Sequence, residues 1–455
     1  MSDTTALERE FDVELRRRQA EVIDHLQRHK PELIRHQIHP GGFALPLRPL
    51  LFSAARLRRL QRSVEVFWGA LLKVFFLEYG GDVRRIAGFL KLDDAALECL
   101  QRCFTPERAV TELFGRSDGF DSADRVVFIE QNITSGPGGL PGVDALSRVF
   151  DDFPPLVALR DRAGIERLSP LDSYAALFTS PAYAQTTVGY LDAILPDGSL
   201  WDDEGVRFLA AMANRGVRLV NLTDRELMLR DDGLYADGIK IERVYRGCAA
   251  LALWARGDAL APLYQACERG QVRMTISPYE MVFFDKLLLP YLSDPELSPW
   301  LTNAERQVLA ECLPWTRFLR DQDSSYRGQK VHLPSLLLDQ RDQFVIKKGN
   351  GFGSQDVVIG AECDDTQWAR QLAVGLAEGN WVAQELVNPR PVVLPYLVDG
   401  EISWVESVSM SCPYVVRGAI CGIGGRTSVP GGSRKLVGAG AEGSSAGIRT
   451  AFWVA

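Results

Sequence analysis

This chain changes its hydrophobic period once, and that change does most to limit what it can fold into. Apolar residues Leu7, Phe11, Val13, Leu15, Val22, Ile23 and Leu26 alternate with charges, which predicts an amphipathic helix over residues 7–29. Further helical patterns cover 55–77, 82–90 and 94–103, punctuated by Gly80-Gly81 and by residues 91–93. From Arg125 the run RVVFIEQN is apolar, β-branched and closed by SGPGGLPG, as in a buried strand that ends in a loop. Downstream, AALF (175–178) and VRLVNL (217–222) read as strands, residues 203–216 as a helix, and IERVYR (241–246) as another strand. That alternation predicts a Rossmann-like layer within an α/β (α+β) protein with an N-terminal helical region. The last 60 or so residues alternate short strands with Gly-rich turns.

With 455 residues and roughly 150 per domain, about three structural units are expected. Apolar residues make up 46% and charged residues 24%, so the chain can bury a large core and is not disordered by composition. Acidic residues outnumber basic ones by 59 to 51, leaving a net charge of −8 and no basic field to attract nucleic acid. Eight cysteines, without CxxC spacing, read as buried thiols of a reducing compartment. The first residues lack a leader-like apolar stretch, and no apolar run approaches the roughly 18 residues of a spanning helix. The expectation is a soluble cytoplasmic protein without membrane or nucleic-acid partners.

Three segments carry chemistry. In FVIKKGNGFGSQDVVIG a strand delivers Lys347 and Lys348 into a turn with Gly349, Gly351 and Gly353, whose N–H groups can form an anion nest. It reads equally as a hairpin with two solvated lysines, and it lacks both the P-loop and the GxGxxG fingerprints. In WVAQELV, Gln384 and Glu385 followed by Leu386 and Val387 can offer polar groups and apolar walls to a purine, or can form an ordinary strand. In RSDGFDSADRVVFIEQN, Glu130 and Asn132 are alternate residues on one strand face, with Asp118 twelve residues earlier. Oxygen ligands so placed suit Mg²⁺ shared with ATP phosphates, and Arg116 adds a clamp for phosphate or carboxylate; a solvated strand end is the alternative. Asp285 before Lys286 reads as a helix cap or as part of the same phosphate machinery. Four of the five histidines lie at 25, 29, 36 and 39, and His25 and His29 are spaced i, i+4. No acidic or Cys residue nearby in sequence completes a zinc pattern with them, so they read as a surface helix.

Taken together these motifs resemble the circularly permuted ATP-grasp family, in particular its glutathionylspermidine synthetase-like carboxylate–amine ligases. The family's Arg and Asp fall on Arg116 and Asp118, its E-x-N on Glu130 and Asn132, and its Tyr-Arg strand end on IERVYR. Its Asp-Lys falls on FDKLLLPYLSD, its V-x-K loop on Lys347, and its V-x-Q-E hinge on Gln384 and Glu385. The permuted order is visible in E-x-N near 130 preceding the Lys/Gly loop near 347. Two departures stand out: Lys347-Lys348 replaces a common Lys-Pro, and Arg426 follows the expected Arg-containing strand only loosely.

The resemblance implies an ATP- and Mg²⁺-dependent ligase that joins a small-molecule carboxylate, such as a peptide or amino acid, to an amine. An amide would form through an acyl phosphate, releasing ADP and phosphate. Asp118, Glu130 and Asn132 would bind Mg²⁺, and Lys286, Lys347 and the Gly349, Gly351, Gly353 loop would hold phosphates. Gln384, Glu385 and Val387 would hold adenine, and Arg116 and Arg246 would orient the carboxylate. The implied segments are a helical region (1–112), a metal-strand part (113–170), a Rossmann-like pre-ATP-grasp domain (171–285) and a nucleotide-binding part (286–455), with a homodimer compatible. A phosphotransferase acting on a small molecule, and a non-catalytic nucleotide-binding protein on the same fold, are the alternatives.

Overall fold

The N-terminal amphipathic pattern folds as two helices, Asp3–Arg17 and Gln19–Arg35, in a computed structural model of the protein. The structure describes residues 3–36, 38, 44–103, 113–122, 125–133, 139–181, 183, 186–192, 204–351, 356–428 and 446–454. The single helix expected over 7–29 breaks at Arg18 (φ −115°, ψ 27°), whose side chain pairs with both Glu14 and Glu21. Phe11, Leu15, Val22, Leu26 and Leu33 bury the inner faces of this pair. Helix Ala54–Lys73 starts at Ser53, whose side chain accepts from Arg56 N, and buries Leu60, Val64, Phe67 and Leu71 at helical spacing. Phe67 stacks on Phe128 at 5.5 Å between ring centroids, seating this helix against the strand that carries Glu130.

The largest sheet has seven strands drawn from distant parts of the chain. Its order is Leu50–Phe52, Ala446–Val454, Ala419–Ser428, Ser409–Val416, Phe114–Ser122, Arg125–Ile133, with Ile165–Arg167 also pairing to the 446–454 strand. All pairings are antiparallel except that of 50–52 with 446–454. In the 114–122/125–133 pair, Asp118 lies opposite Glu130 and Arg116 opposite Asn132, with a register shift between Asp118 and Gly119. Gly119 is required there, because a Cβ would lie 2.9 Å from Val127 O on the neighbouring backbone.

A second sheet is wholly parallel: Arg273–Thr275, Arg243–Arg246, Val188–Leu191 and Val220–Asn221. The expected strand at 175–178 is instead part of helix Pro170–Thr179. Besides Pro170 at its start, this helix buries Leu171, Tyr174, Ala175 and Phe178, an i, i+3, i+4, i+7 set that a four-residue window could not display. The first of its strands along the chain is VGYL at 188–191, which the sequence pattern does not single out.

A third, antiparallel sheet runs Thr316–Phe318, Trp381–Glu385, Phe344–Lys348, Val357–Ile359. Helix Asp365–Glu378 backs it, opened by a capping box between Asp364 and Gln367 and anchored by buried Trp368, which donates to Leu337 O at 2.8 Å. Among the described residues no helix is long and apolar enough to cross a membrane.

Candidate functional site

Antiparallel register alone gathers the first group. Residues directly opposite in such a pair share a face, so Arg116, Asp118, Glu130 and Asn132 project from the large sheet together. Buried Arg116 grips Asp118 with two bonds, Nε to Oδ1 at 2.6 Å and Nη2 to Oδ2 at 2.8 Å. Asn132 Nδ2 donates to Asp118 Oδ2 at 3.0 Å, and Arg426 Nη1 lies 4.0 Å from the same oxygen. Burial works to raise the Asp118 pKa, but the Arg116 ion pair and hydrogen bonds outweigh it and hold the carboxyl below its usual range. Arg116, expected to clamp a ligand, is thus committed to Asp118. Glu130 differs: it is half-buried and accepts no hydrogen bond among the described residues, its nearest cation being Lys286 Nζ at 3.7 Å. Among the described residues nothing donates to the Asn132 side-chain carbonyl oxygen, while its amide holds Asp118.

The third sheet supplies the facing wall. Lys347, only 4% exposed, donates to Ile129 O at 3.0 Å, so one strand's lysine seals against the backbone of the metal-strand candidate beside Glu130. It also donates to Gln384 Oε1 at 2.8 Å, and Gln384 Nε2 donates to Thr316 Oγ1 at 3.1 Å. Burial pushes the Lys347 pKa down to about 8, with Lys286 adding to the fall and Glu130 opposing it. Lys348, read as solvated, instead pairs with Glu378 at 3.0 Å.

Lys286 closes the group. Its neighbour Asp285 caps the following turn, Oδ1 accepting from Leu287 N at 2.9 Å, and burial raises the Asp285 pKa to about 6. The cap reading therefore holds, yet Lys286 is buried and donates to Gly351 O at 2.9 Å. Its backbone N–H donates to Gly349 O, also at 2.9 Å. A Cβ at Gly349 would collide with Asp285 Oδ1 and come within 2.8 Å of Leu287 Cγ, so glycine is required for this approach. The expected anion nest is not open at these two positions: Gly349 N donates to Asn380 O (2.8 Å) and Gly351 N to Lys348 O (3.3 Å). Gly353 lies outside the described residues.

Glu385 and Val387 sit at the end of the middle strand and line a cavity of 470 Å³ together with Val127, Trp315 and Leu386. The Glu385 carboxylate takes Tyr326 OH at 3.0 Å and Arg327 Nη2 at 2.9 Å. The N–H groups of Glu385 and Leu386 are occupied by Trp315 O (2.8 Å) and Gln343 O (2.7 Å). Val387 packs toward Phe120, Met410 and Cys412, forming an apolar floor beside the polar group.

Arg246 is not brought into this group. It donates to Glu280 Oε1 at 2.9 Å, to Ile276 O at 3.2 and 3.1 Å, to Ser277 O at 3.1 Å and to Cys248 O. Buried and saturated, it braces the end of the parallel sheet. Thr316, which lies opposite Gln384, is a residue the sequence pattern does not reveal, because its position two residues after Pro314 carries no local signal. It placed Arg426 only loosely, yet that side chain shares the Asp118 face and makes no hydrogen bond among the described residues. The histidines also depart from the surface-helix reading: His25 is 1% exposed and its Nε2 lies 2.8 Å from Val149 O.

No protein-family model matches the sequence, and no curated protein does. Among solved structures, the glutathione synthetase-like effector GSS30 of Globodera pallida, in apo form, matches 100% of this chain and 98% of its own, with a TM-score of 0.55 and 10% identity. The chain therefore shares that fold. A putative gamma-glutamylcysteine synthetase of Methylobacillus flagellatus matches 88% of each chain at 10% identity and a TM-score of 0.39. The D-alanyl-alanine synthetase A of Vibrio cholerae matches 57% of this chain and 75% of its own at 12% identity and a TM-score of 0.27.

Proposed function

We propose that the protein is an ATP- and Mg²⁺-dependent carboxylate–amine ligase of circularly permuted ATP-grasp type, with the parallel sheet as its Rossmann-like layer. The observation that carries this reading is the bond from Lys347 Nζ to Ile129 O. It sets a buried ammonium beside Glu130, so cations and hard oxygen donors face one another between two sheets. We retain in this proposal the division at residues 112, 170 and 285, and a small-molecule carboxylate and amine as substrates.

The donor set fits the cofactors. Glu130 and the Asn132 carbonyl are hard oxygen ligands with free acceptor capacity, as Mg²⁺ requires. Asp118, steered by Arg116, would complete the set through lone pairs left after its hydrogen bonds. When bound, ATP with Mg²⁺ would supply a transferable phosphoryl group: the substrate carboxylate would take it as an acyl phosphate with release of ADP, and an amine would attack the acyl carbon, expel phosphate and leave the amide. Lys286 and Lys347 would neutralise phosphate oxygens, exchanging the carbonyl contacts they now make for charge-assisted bonds. Arg426 takes over the carboxylate-orienting role first given to Arg116 and Arg246, because both of those are committed to carboxylates of the protein. The apolar floor around Val387 and the cavity beside Glu385 would receive the adenine ring.

The test is to incubate the full chain with ATP, Mg²⁺, hydroxylamine and a panel of carboxylates, reading ADP and product mass. A hydroxamate formed with ADP supports the ligase. A phosphorylated product stable to hydroxylamine would transfer the reading to a phosphotransferase, and ATP binding without turnover of any pair would leave a non-catalytic nucleotide binder.

A further inference from the structure

The histidine pair of helix Gln19–Arg35 has a partner that sequence distance concealed. His25 and His29 stack one turn apart, ring centroids 4.5 Å from each other. Asp152 stands in the short connection between helices Leu140–Val149 and Pro154–Ala163. Its Oδ1 lies 3.9 Å from His25 Nε2 and 3.9 Å from His29 Nε2. The three ligand atoms all fall within 4.8 Å of one another. With metal–ligand bonds of about 2.0–2.1 Å, tetrahedral geometry sets ligand atoms roughly 3.3 Å apart, so the side chains need move only a few tenths of an ångström to about 1 Å.

We propose that His25, His29 and Asp152 form a site for a divalent transition-metal cation, which by ligand type is zinc. Two imidazole nitrogens and one carboxylate oxygen suit a borderline ion and are poor ligands for Mg²⁺. The site is therefore chemically distinct from the oxygen-rich face at Glu130. His25 is rigidly placed: it is buried against Phe153, edge to face at 5.4 Å. His29 and Asp152 are more open, with side-chain exposures of 31% and 65%, and provide the entry path. Val149 O, 2.8 Å from His25 Nε2, now accepts that ring's proton. On binding, the proton moves to Nδ1, Nε2 turns to the cation, and the fourth corner is left to water or to this carbonyl. The ion would fasten the N-terminal helix pair, whose Phe11, Val22 and Leu26 already pack in the same core as Phe150 and Phe153, to the body of the protein.

The test uses the untagged full chain, stripped with chelator and titrated with Co²⁺ as a spectroscopic probe, then with Zn²⁺ in competition. One Co²⁺ per chain with the visible absorption of a low-coordinate nitrogen site, displaced by Zn²⁺, is expected. His29→Ala and Asp152→Asn should each weaken binding by at least about tenfold while leaving ATP binding unchanged. At one Zn²⁺ concentration the unfolding temperature should rise more in the parent than in either variant. Because His25 is in the core, its removal is not used. Absence of stoichiometric binding in the parent, or unaltered affinity in both variants, would overturn the proposal.

Discussion

Arg116 and Arg246 are both buried, both on strands, and both paired with a carboxylate, yet their surroundings differ in one respect. Around Arg246 each polar direction ends on a protein acceptor: Glu280 and the carbonyls of Cys248, Ile276 and Ser277. Around Arg116 the pair with Asp118 adjoins charges that no hydrogen bond holds among the described residues, namely Glu130, whose cation Lys286 is 3.7 Å away, and Arg426, 4.0 Å from Asp118. A buried ion pair by itself marks neither stability nor function. Unspent charge beside it separates a candidate site from a brace.

The comparison breaks most visibly at Arg246. Arg246→Met should cost about 3–5 kcal/mol of stability, since it strands Glu280 unpaired in the interior. Denaturant unfolding measures this, and the folded fraction should keep its KM for ATP. Next comes Glu130→Gln, for which ATP turnover should fall about 10²–10³-fold, the scale of losing one preorganised charge group. Its unfolding midpoint should stay within the ±0.5 kcal/mol typical of partly exposed sites. Equal activity in the two proteins would remove Glu130 from the metal set.

A smaller effect is expected from Gly349→Ala, where the new Cβ displaces Asp285 and the turn that positions Lys286. ATP affinity should drop about tenfold, equivalent to ~1.4 kcal/mol, with KM changing more than kcat. Smallest is a pH effect. Lys347 sheds its proton near pH 8 in the folded protein, so kcat/KM for ATP should decline as pH rises through that value. Lys347→Arg should flatten that limb. Between about pH 8 and the ordinary 10.5 the unfolded chain holds the proton that the native site has lost, so the destabilisation from burying this charged group fades as pH rises through that window.

What could be read in advance was what is local along the chain. Glu130 and Asn132 lie on one strand, and Lys347, Gln384 and Glu385 on adjacent strands of another sheet, so alternation and turn chemistry were enough to place these on strands, while Asp118, legible only as strand or turn, lies on the strand paired with Glu130. Nothing local foretold that Lys347 would reach Ile129 across 218 positions. Nor did the strand end at Arg246 reveal that Ile276, at φ 69°, would turn its carbonyl onto the guanidinium. The short run at 175–178 was misread for a related reason: its helical partners Leu171 and Tyr174 lay outside the window. His25 and His29 looked solvated because Asp152 is remote in sequence and close only in the fold.

The central claim is that Lys347 and Glu130 face one another across a site for ATP with Mg²⁺, and calorimetric titration of ATP into the full chain, with and without Mg²⁺, tests it most directly. The account predicts one ATP per chain, bound tightly only with Mg²⁺, and lost in Lys347→Met without loss of fold. Absence of ATP binding, or binding indifferent to both Mg²⁺ and Lys347, would contradict it.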